Sequence, residues 1–243
     1  MGETTIEWAD FTLNPWLGCS KVSPGCDNCY AEVWGKRFGV EWGPHGERKR
    51  TSAATWRKPY VWARKARATG SRPRVFCASL ADVFDNQVPD SWRSDLFALI
   101  EDTPELDWLL LTKRPENIGK MVWPKWDWGL PRNIWLGTTC EDQERFDHRW
   151  PILADIPAAV RFISYEPALG PLNIGHWQRH ARPHWVICGG ESGPNARHMS
   201  PDWARALKDE CHDRQIPFFM KQMTSKTPIP AELLVRQFPM GNK

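Results

Sequence analysis

Asp107-Trp-Leu-Leu-Leu-Thr112, followed at once by Lys113 and Arg114, is the stretch on which the fold turns. An apolar run that stops abruptly in polar residues suits a strand buried on both faces, as in a parallel sheet flanked by helices. The pattern recurs outward in both directions. Before it stands Arg74-Val-Phe-Cys-Ala-Ser79, with Asp82 close behind. After it come Asn133-Ile-Trp-Leu-Gly-Thr138, Val160-Arg-Phe-Ile-Ser164, His184-Trp-Val-Ile-Cys188 and Ile216-Pro-Phe-Phe-Met220. The segment from Phe11 to Leu17 offers one more strand. Ser91 to Glu101 and Pro201 to Arg214 carry helical spacing, and Ser200-Pro201 is a cap followed by proline in the first turn.

No repeat or low-complexity linker divides the chain, so residues 1–243 are read as one α/β domain of βα-type units. The strand ends choose the architecture. Ser79, Lys113, Thr138, Glu166, Glu191 and Lys221 all fall at or just past them. A barrel gathers its chemistry at that rim, whereas an open doubly wound sheet concentrates it at one switch point. The expectation is a full or partial (β/α) barrel.

Hydrophobic residues make up 41% and charged residues 25% of the 243, a globular rather than a disordered composition. No apolar run approaches bilayer length, which argues against a membrane partner. The start, Met1-Gly-Glu-Thr-Thr-Ile-Glu, has no basic and apolar leader, so a cytoplasmic chain is expected. In that compartment seven cysteines point to metal binding, catalysis or buried thiols before disulfides.

Three of those thiols, Cys19, Cys26 and Cys29, share the loop 18–30, Gly18-Cys-Ser-Lys-Val-Ser-Pro-Gly-Cys-Asp-Asn-Cys-Tyr30. Structural zinc takes four ligands, and no second Cys-x2-Cys pair supplies them. A remote Cys77, Cys140, Cys188, Cys211 or a histidine could still complete such a site. His176 and His180 have the spacing of a helical pair but sit beside proline and glycine, and read as surface or packing residues. A 4Fe–4S cluster accepts thiolates, and three of them leave one iron open. Gly18 and Gly25 allow a tight path around a bulky group and Pro24 fixes one bend.

A three-cysteine loop with an aromatic residue directly after the last cysteine, early in a βα-barrel, resembles the radical S-adenosylmethionine superfamily. The superfamily's usual spacing is Cys-x3-Cys-x2-Cys; here the first gap is six residues. Asn14-Pro-Trp-Leu-Gly-Cys-Ser-Lys-Val-Ser-Pro-Gly-Cys-Asp-Asn-Cys-Tyr-Ala-Glu32 resembles the opening of a phage-associated three-cysteine family of the same kind. Leu111-Thr-Lys-Arg-Pro115, Trp135-Leu-Gly-Thr138, Ser164-Tyr-Glu-Pro167, Gly189-Gly-Glu-Ser-Gly193 and Phe219-Met-Lys-Gln222 continue that likeness along the chain. Spore photoproduct lyase is similar more distantly, by reaction type.

The resemblance implies a 4Fe–4S cluster on Cys19, Cys26 and Cys29, with S-adenosylmethionine chelated at its open iron. One electron from a flavodoxin- or ferredoxin-type reductant cleaves the sulfonium bond, and a 5′-deoxyadenosyl radical takes a hydrogen atom from a substrate. Tyr30 would pack beside the cluster or near adenine. Lys113 or Arg114 would meet the cofactor carboxylate, and Ser79 with Asp82, Thr138, and Ser164 with Glu166 its amino group and ribose. The superfamily's Gly-Gly-Glu motif follows an early strand, whereas Gly189-Gly190-Glu191 follows a late one. That role is therefore not carried over, although glycines there allow a ligand to approach the backbone closely. Pro194 breaks a Gly-x-Ser-x-Gly elbow, which removes the support for a hydrolase. Cys140, after a strand end, is a candidate hydrogen-atom donor.

The formal net charge is only +3, but its distribution is uneven. Segment 48–67 holds Arg48, Lys49, Arg50, Arg57, Lys58, Arg64, Lys65 and Arg67 with no acid, interleaved with Trp56, Tyr60 and Trp62. Cations attract phosphates and aromatic faces stack on bases, so the segment is a candidate nucleic-acid contact; a solvated helix face explains it equally. Trp123-Pro-Lys-Trp-Asp-Trp128 is a second candidate stacking loop. The leading expectation is a radical enzyme acting on a nucleic acid or nucleotide. Its rivals are a non-catalytic nucleic-acid-binding protein with a structural zinc or iron–sulfur site, and a radical enzyme modifying a peptide.

Overall fold

The computed structural model describes residues 4–126, 129–175, 177–178, 180–193 and 195–239. Trp128, His176 and Pro194 lie outside them. Chain order runs β1 (Phe11–Leu13), β2 (Trp16–Leu17), α1 (Tyr30–Arg37), β3 (Lys49–Arg50), α2 (Ala53–Thr69), β4 (Arg74–Cys77), α3 (Asp90–Glu101) and β5 (Asp107–Thr112). Then come α4 (Pro115–Val122), β6 (Ile134–Thr139), α5 (Gln143–Ala154), β7 (Val160–Tyr165), β8 (Trp185–Gly189), α6 (Pro201–Asp213) and β9 (Phe218–Gln222).

Seven strands form one sheet in the order β1-β4-β5-β6-β7-β8-β9, while β2 and β3 pair antiparallel by themselves. The described registers are parallel: Phe11 beside Val75, Arg74 beside Asp107, Phe162 beside Trp185 and Val186 beside Phe218. The sheet strands follow one another in chain order with no reversal. There is accordingly no switch point, and the topology is that of a partial (β/α) barrel. Asp107–Thr112 is a strand over all six residues. The last strand starts later than its apolar run does, because Pro217 has no N–H for the ladder. The basic segment supplies α2, capped by Ser52, whose hydroxyl accepts from the Thr55 N–H, and closed by Gly70 in the left-handed region at φ 66°.

The chain divides into two compact units. The first comprises Met1–Val22, Ala31–Leu136 and Pro157–Ala159, and its interior is aromatic. Trp8 packs on Phe76 at 4.5 Å, Phe11 lies flat on Trp62 at 4.4 Å, and Phe97 meets Trp126 at 4.5 Å. α2 turns Pro59, Trp62, Ala63 and Ala66 inward at helical spacing. Trp126 is fully buried and donates to Glu101 Oε1 at 2.6 Å, so this member of the tryptophan-rich stretch is core and not a base-stacking surface.

The second unit comprises Ser23–Tyr30, Gly137–Ile156 and Val160–Lys243. Phe162, Trp185 and Phe219 meet from strand to strand, the first pair tilted at 5.8 Å and the second edge-on at 6.2 Å. The buried indoles of Trp150 and Trp185 donate to the Ala181 and Gln237 carbonyls, which satisfies their N–H groups. Gly137 in β6 exists for packing: an added Cβ would stand 2.3 Å from Phe162 Cζ. Gly137→Ala is therefore expected to cost about 1–3 kcal/mol in urea denaturation, through forced overpacking. No helix among the described residues is long and apolar enough to cross a membrane.

Candidate metal centre and the strand ends

A parallel sheet puts the C-terminal ends of its strands on one edge, and polar residues read from the sequence stand at or just past those ends in each unit. In the first unit Asp82, behind β4, organises the group. Its carboxylate accepts from the Thr112 hydroxyl at 2.8 and 3.0 Å, from the Phe84 and Lys113 N–H groups at 2.9 and 3.2 Å, and from Arg114 Nη1 at 2.9 Å. Arg114, itself buried, reaches on into the cysteine loop. It donates to the Ser20 carbonyl and hydroxyl, both at 2.9 Å, and to Cys19 Sγ at 3.5 Å. Burial, and after it the Asp82 carboxylate, push the Cys19 thiol up to about 12; Arg114 works in the opposite direction. Ser79 Oγ accepts from Asn14 Nδ2 at 3.0 Å, which ties β4 to the approach of the loop.

In the second unit the remainder of the loop is held by two carboxylates. Cys26 closes a short 3-10 turn over Pro24–Cys26 and is buried; Cys29 is half-buried. Gly25, directly before Cys26, donates its N–H to Glu141 Oε1 at 3.0 Å, and an added Cβ would lie 2.9 Å from that oxygen. Glu141 is wholly buried and is neutralised by Arg149 at 2.8 Å. Glu191 acts further along: Asn28 Nδ2 donates to its Oε2 at 3.0 Å, and the Arg197 N–H and guanidinium both bond to the carboxylate. Arg197 also donates to the Pro24 carbonyl at 2.7 Å and reaches Asp27 at 3.3 Å. Burial pulls the Glu191 carboxyl up, but Arg197 and Asn28 outweigh it and hold it below the ordinary carboxylate range. The Gly-Gly-Glu segment thus spends its carboxylate on the cysteine loop.

A third arrangement crosses β8. Glu166, just past β7, pairs with Lys221 on β9 at 2.7 Å and accepts from the Ser164 hydroxyl at 3.3 Å. Gly189 lies between the two strands, and a Cβ there would stand 2.9 Å from Glu166 Oε1. Gly190 is excluded from larger side chains by the Thr224 backbone N, 2.5 Å from an added Cβ. Glycine at these positions is what lets a carboxylate and an ammonium meet over the strand.

Other expected residues are less well placed. Thr138 and Cys140 are fully buried, and burial drives the Cys140 thiol far above its usual range. Cys77 and Cys188 are core, and all seven cysteines are free thiols. Tyr30 opens α1 and is 42% exposed. In the basic segment, Arg48 turns inward to Asp85 at 2.6 Å with 1% of its side chain exposed, and so presents no cation to a phosphate. Lys49 donates to the Phe38 carbonyl, and Arg50 pairs with Asp95 while lying over Trp56 at 4.3 Å. Arg57, Lys58, Arg64 and Lys65 are exposed on α2, opposite its buried stripe.

Glu141, Asn28 and Arg197 were not read from the sequence. Glu141 stands two residues beyond a strand end and carried a usable signal; Arg197 lies in a loop and carried none. Among the described residues no three His, Cys, Asp or Glu side chains are grouped closely enough to hold an ion as they stand. The loop itself has the marks of a cradle. Its thiols are free, Gly25 is pinned by its N–H, and the buried Ser23 hydroxyl has no hydrogen-bond partner among the described residues. Soft sulfur donors on a fixed turn, beside an orphaned polar group, fit a thiolate-ligated metal cluster.

Two solved structures share the fold. A double mutant of spore photoproduct lyase with bound AdoMet and dinucleoside spore photoproduct aligns with TM-score 0.51 and 11% identity over 100% of this chain. This chain spans 65% of that protein's length. A second spore photoproduct lyase mutant aligns with TM-score 0.54 and 9% identity over 91% of this chain and 78% of its own. No curated protein matches. A family described as a protein of unknown function, DUF5131, matches residues 3–232.

Proposed function

We propose that this chain, which belongs to the DUF5131 family, is a radical S-adenosylmethionine enzyme that acts on a nucleic-acid or nucleotide-type substrate. The observation that carries this reading is the Cys19, Cys26 and Cys29 loop, fixed at Gly25 and Asn28 by Glu141 and Glu191. A fold shared with spore photoproduct lyase, whose solved mutant holds AdoMet and a dinucleoside, supports it.

Cys19, Cys26 and Cys29 would hold the 4Fe–4S cluster, which when bound supplies an electron and an open iron for the cofactor's amino and carboxylate groups. The protein's own residues prepare the site. Arg114, in contact with Cys19 Sγ, favours the thiolate that a metal needs. Glu141 and the Glu191–Arg197 pair hold the backbone of the turn, so its thiols need not be ordered at the moment of loading. Lys113, Ser164 and Glu166 sit at strand ends where cofactor carboxylate, amino and hydroxyl groups can be bound and oriented.

The test is anaerobic reconstitution with iron and sulfide, followed by reduction with dithionite in the presence of S-adenosylmethionine. A brown protein that releases 5′-deoxyadenosine and methionine is expected. Stoichiometric zinc in the purified chain, with no cleavage after reconstitution, overturns the reading.

The substrate half rests on α2. Among the described residues Arg57, Arg64 and Lys65 have no carboxylate partner, which leaves their charge available to phosphates. Binding to single-stranded DNA or RNA is expected to weaken steeply with salt. Arg57→Gln, Arg64→Gln and Lys65→Gln together should flatten the log–log salt slope by about 2–3, near one unit per lost phosphate contact. An unchanged slope in filter binding counts against α2.

A further inference from the structure

β8 and β9 begin beside a small cavity of about 110 Å³, room for a compact organic molecule. Ile174, Pro183 and Ile216 give it apolar walls, and Trp177, Arg182 and Arg214 complete them. Pro183 and Ile216 each stand two residues ahead of a strand, so the cavity lies at the N-terminal edge of the sheet. Gly189 and Gln222 end the same two strands at the opposite edge. The walls are pinned. The Ile174 N–H donates to Glu210 Oε2 at 3.1 Å, and the Ala181 and Arg182 N–H groups close a turn on the Gln178 carbonyl at 2.9 and 3.0 Å. Trp177 is wedged edge-on against Phe146 and Trp150 of α5, at 6.4 and 6.5 Å. A cavity already held open costs little ordering when it is filled.

What the walls offer is donors. Arg214 is committed: its Nη2 pairs with Glu210 at 3.0 Å and its Nε donates to the Gly175 carbonyl at 3.0 Å. Arg182 gives only Nη1, to the Arg214 carbonyl at 2.9 Å. Among the described residues the rest of that guanidinium has no hydrogen-bond partner, and its charge has no carboxylate. The Trp177 indole N–H also has no acceptor among the described residues, and its Nε1 would stand 3.8 Å from a Cβ on Gly175, which lines the same cavity. The Gly175 and Arg214 carbonyls already accept guanidinium bonds. The uncompensated cation is felt nearby: burial first, then Arg161 and Arg182, hold the His184 imidazole below its ordinary range. A donor-only lining calls for an acceptor-rich ligand.

We propose that this cavity binds a small organic monocarboxylate, its charged end held by Arg182 and the Trp177 N–H and its carbon body against Ile174, Pro183 and Ile216. A guanidinium takes a carboxylate in a two-point fork. One free cation matches one negative charge, and apolar walls match a carbon body; an inorganic phosphate dianion fits neither. The site shares no residue with the cysteine loop or with the carboxylates that hold it, so it is present in the metal-free chain and stands or falls apart from the cluster.

The experiment uses the full metal-free chain, labelled with 5-fluorotryptophan, and benzoate as probe. Benzoate should raise the melting temperature and shift one fluorine resonance saturably, the resonance missing from Trp177→Phe. Arg182→Gln should weaken binding at least about tenfold. Arg182→Lys, which keeps the charge without the fork, should weaken it less, and this ranking holds the test open where glutamine loosens the loop. Benzyl alcohol, of similar size but neutral, should bind the parent at least about tenfold more weakly than benzoate. No saturable shift up to about 20 mM benzoate overturns the proposal. So does equal affinity of the parent and Arg182→Gln, or benzyl alcohol bound as tightly as benzoate, which leaves an apolar hole only. Inorganic phosphate that displaces benzoate at lower concentration overturns the carboxylate assignment in favour of an inorganic oxyanion.

Discussion

Alanine in place of Cys19, Cys26 or Cys29 is expected to abolish the visible absorbance of the reconstituted protein and lower its bound iron by well over tenfold. Outer partners of metal ligands already cost about 10–100-fold when lost, and a ligand costs more. The controls lie within the same chain. Cys77, Cys140 and Cys188 are buried thiols of ordinary core strands and strand ends, and their alanine variants should lose a little stability while keeping the full iron content. Iron and sulfide assay after anaerobic desalting reads the difference. Retention of iron by all three loop variants, or equal loss from Cys188→Ala, would mean that the metal is held elsewhere or not at all.

The second large effect is expected at Glu141. Its carboxylate accepts from the Gly25 N–H at 3.0 Å and from the buried Arg149 at 2.8 Å. Glu141→Ala leaves a guanidinium with 4% exposure facing no charge, and removing one partner of a buried pair costs about 3–5 kcal/mol. The loss should appear in chemical denaturation of the iron-free protein, before any cofactor chemistry is involved. Glu141→Gln keeps an acceptor for Gly25 and fills the same space, so it should lose less stability and keep much of the iron loading. Gly25→Ala is the reciprocal test, because its methyl group would press on the same oxygen. Equal stability of Glu141→Ala and its parent would show that Arg149 finds another acceptor.

The fold was largely legible because a strand buried on both faces writes itself as an unbroken apolar run, as Trp108–Leu111 does within Asp107–Thr112, where every residue but Leu111 is buried. That three thiols share one short loop, at 19, 26 and 29, is legible directly. Their supports are not. Glu141 and Gly25 are 116 residues apart, and nothing local to either announces the bond. Arg48 misled for the same reason. A run of cations looks exposed until Asp85, from a distant loop, claims one of them. Gly189 and Glu191 looked like a ligand loop, yet one makes room for an ion pair and the other anchors the cysteine turn.

The anchoring of that turn also sets a clock on synthesis. Cys29 leaves the ribosome early, whereas Arg197, which grips the Pro24 carbonyl 173 residues away, leaves late. At about 5–20 residues per second the interval is roughly 10–30 s. Until Glu141 and then Glu191 are made, the thiols are attached to a loop that lacks its distant carboxylates, open to oxidation or to a stray divalent metal. The finished turn is thus a late event, gated by arrival of the C-terminal half, and the thiols' safekeeping until then falls to the cell.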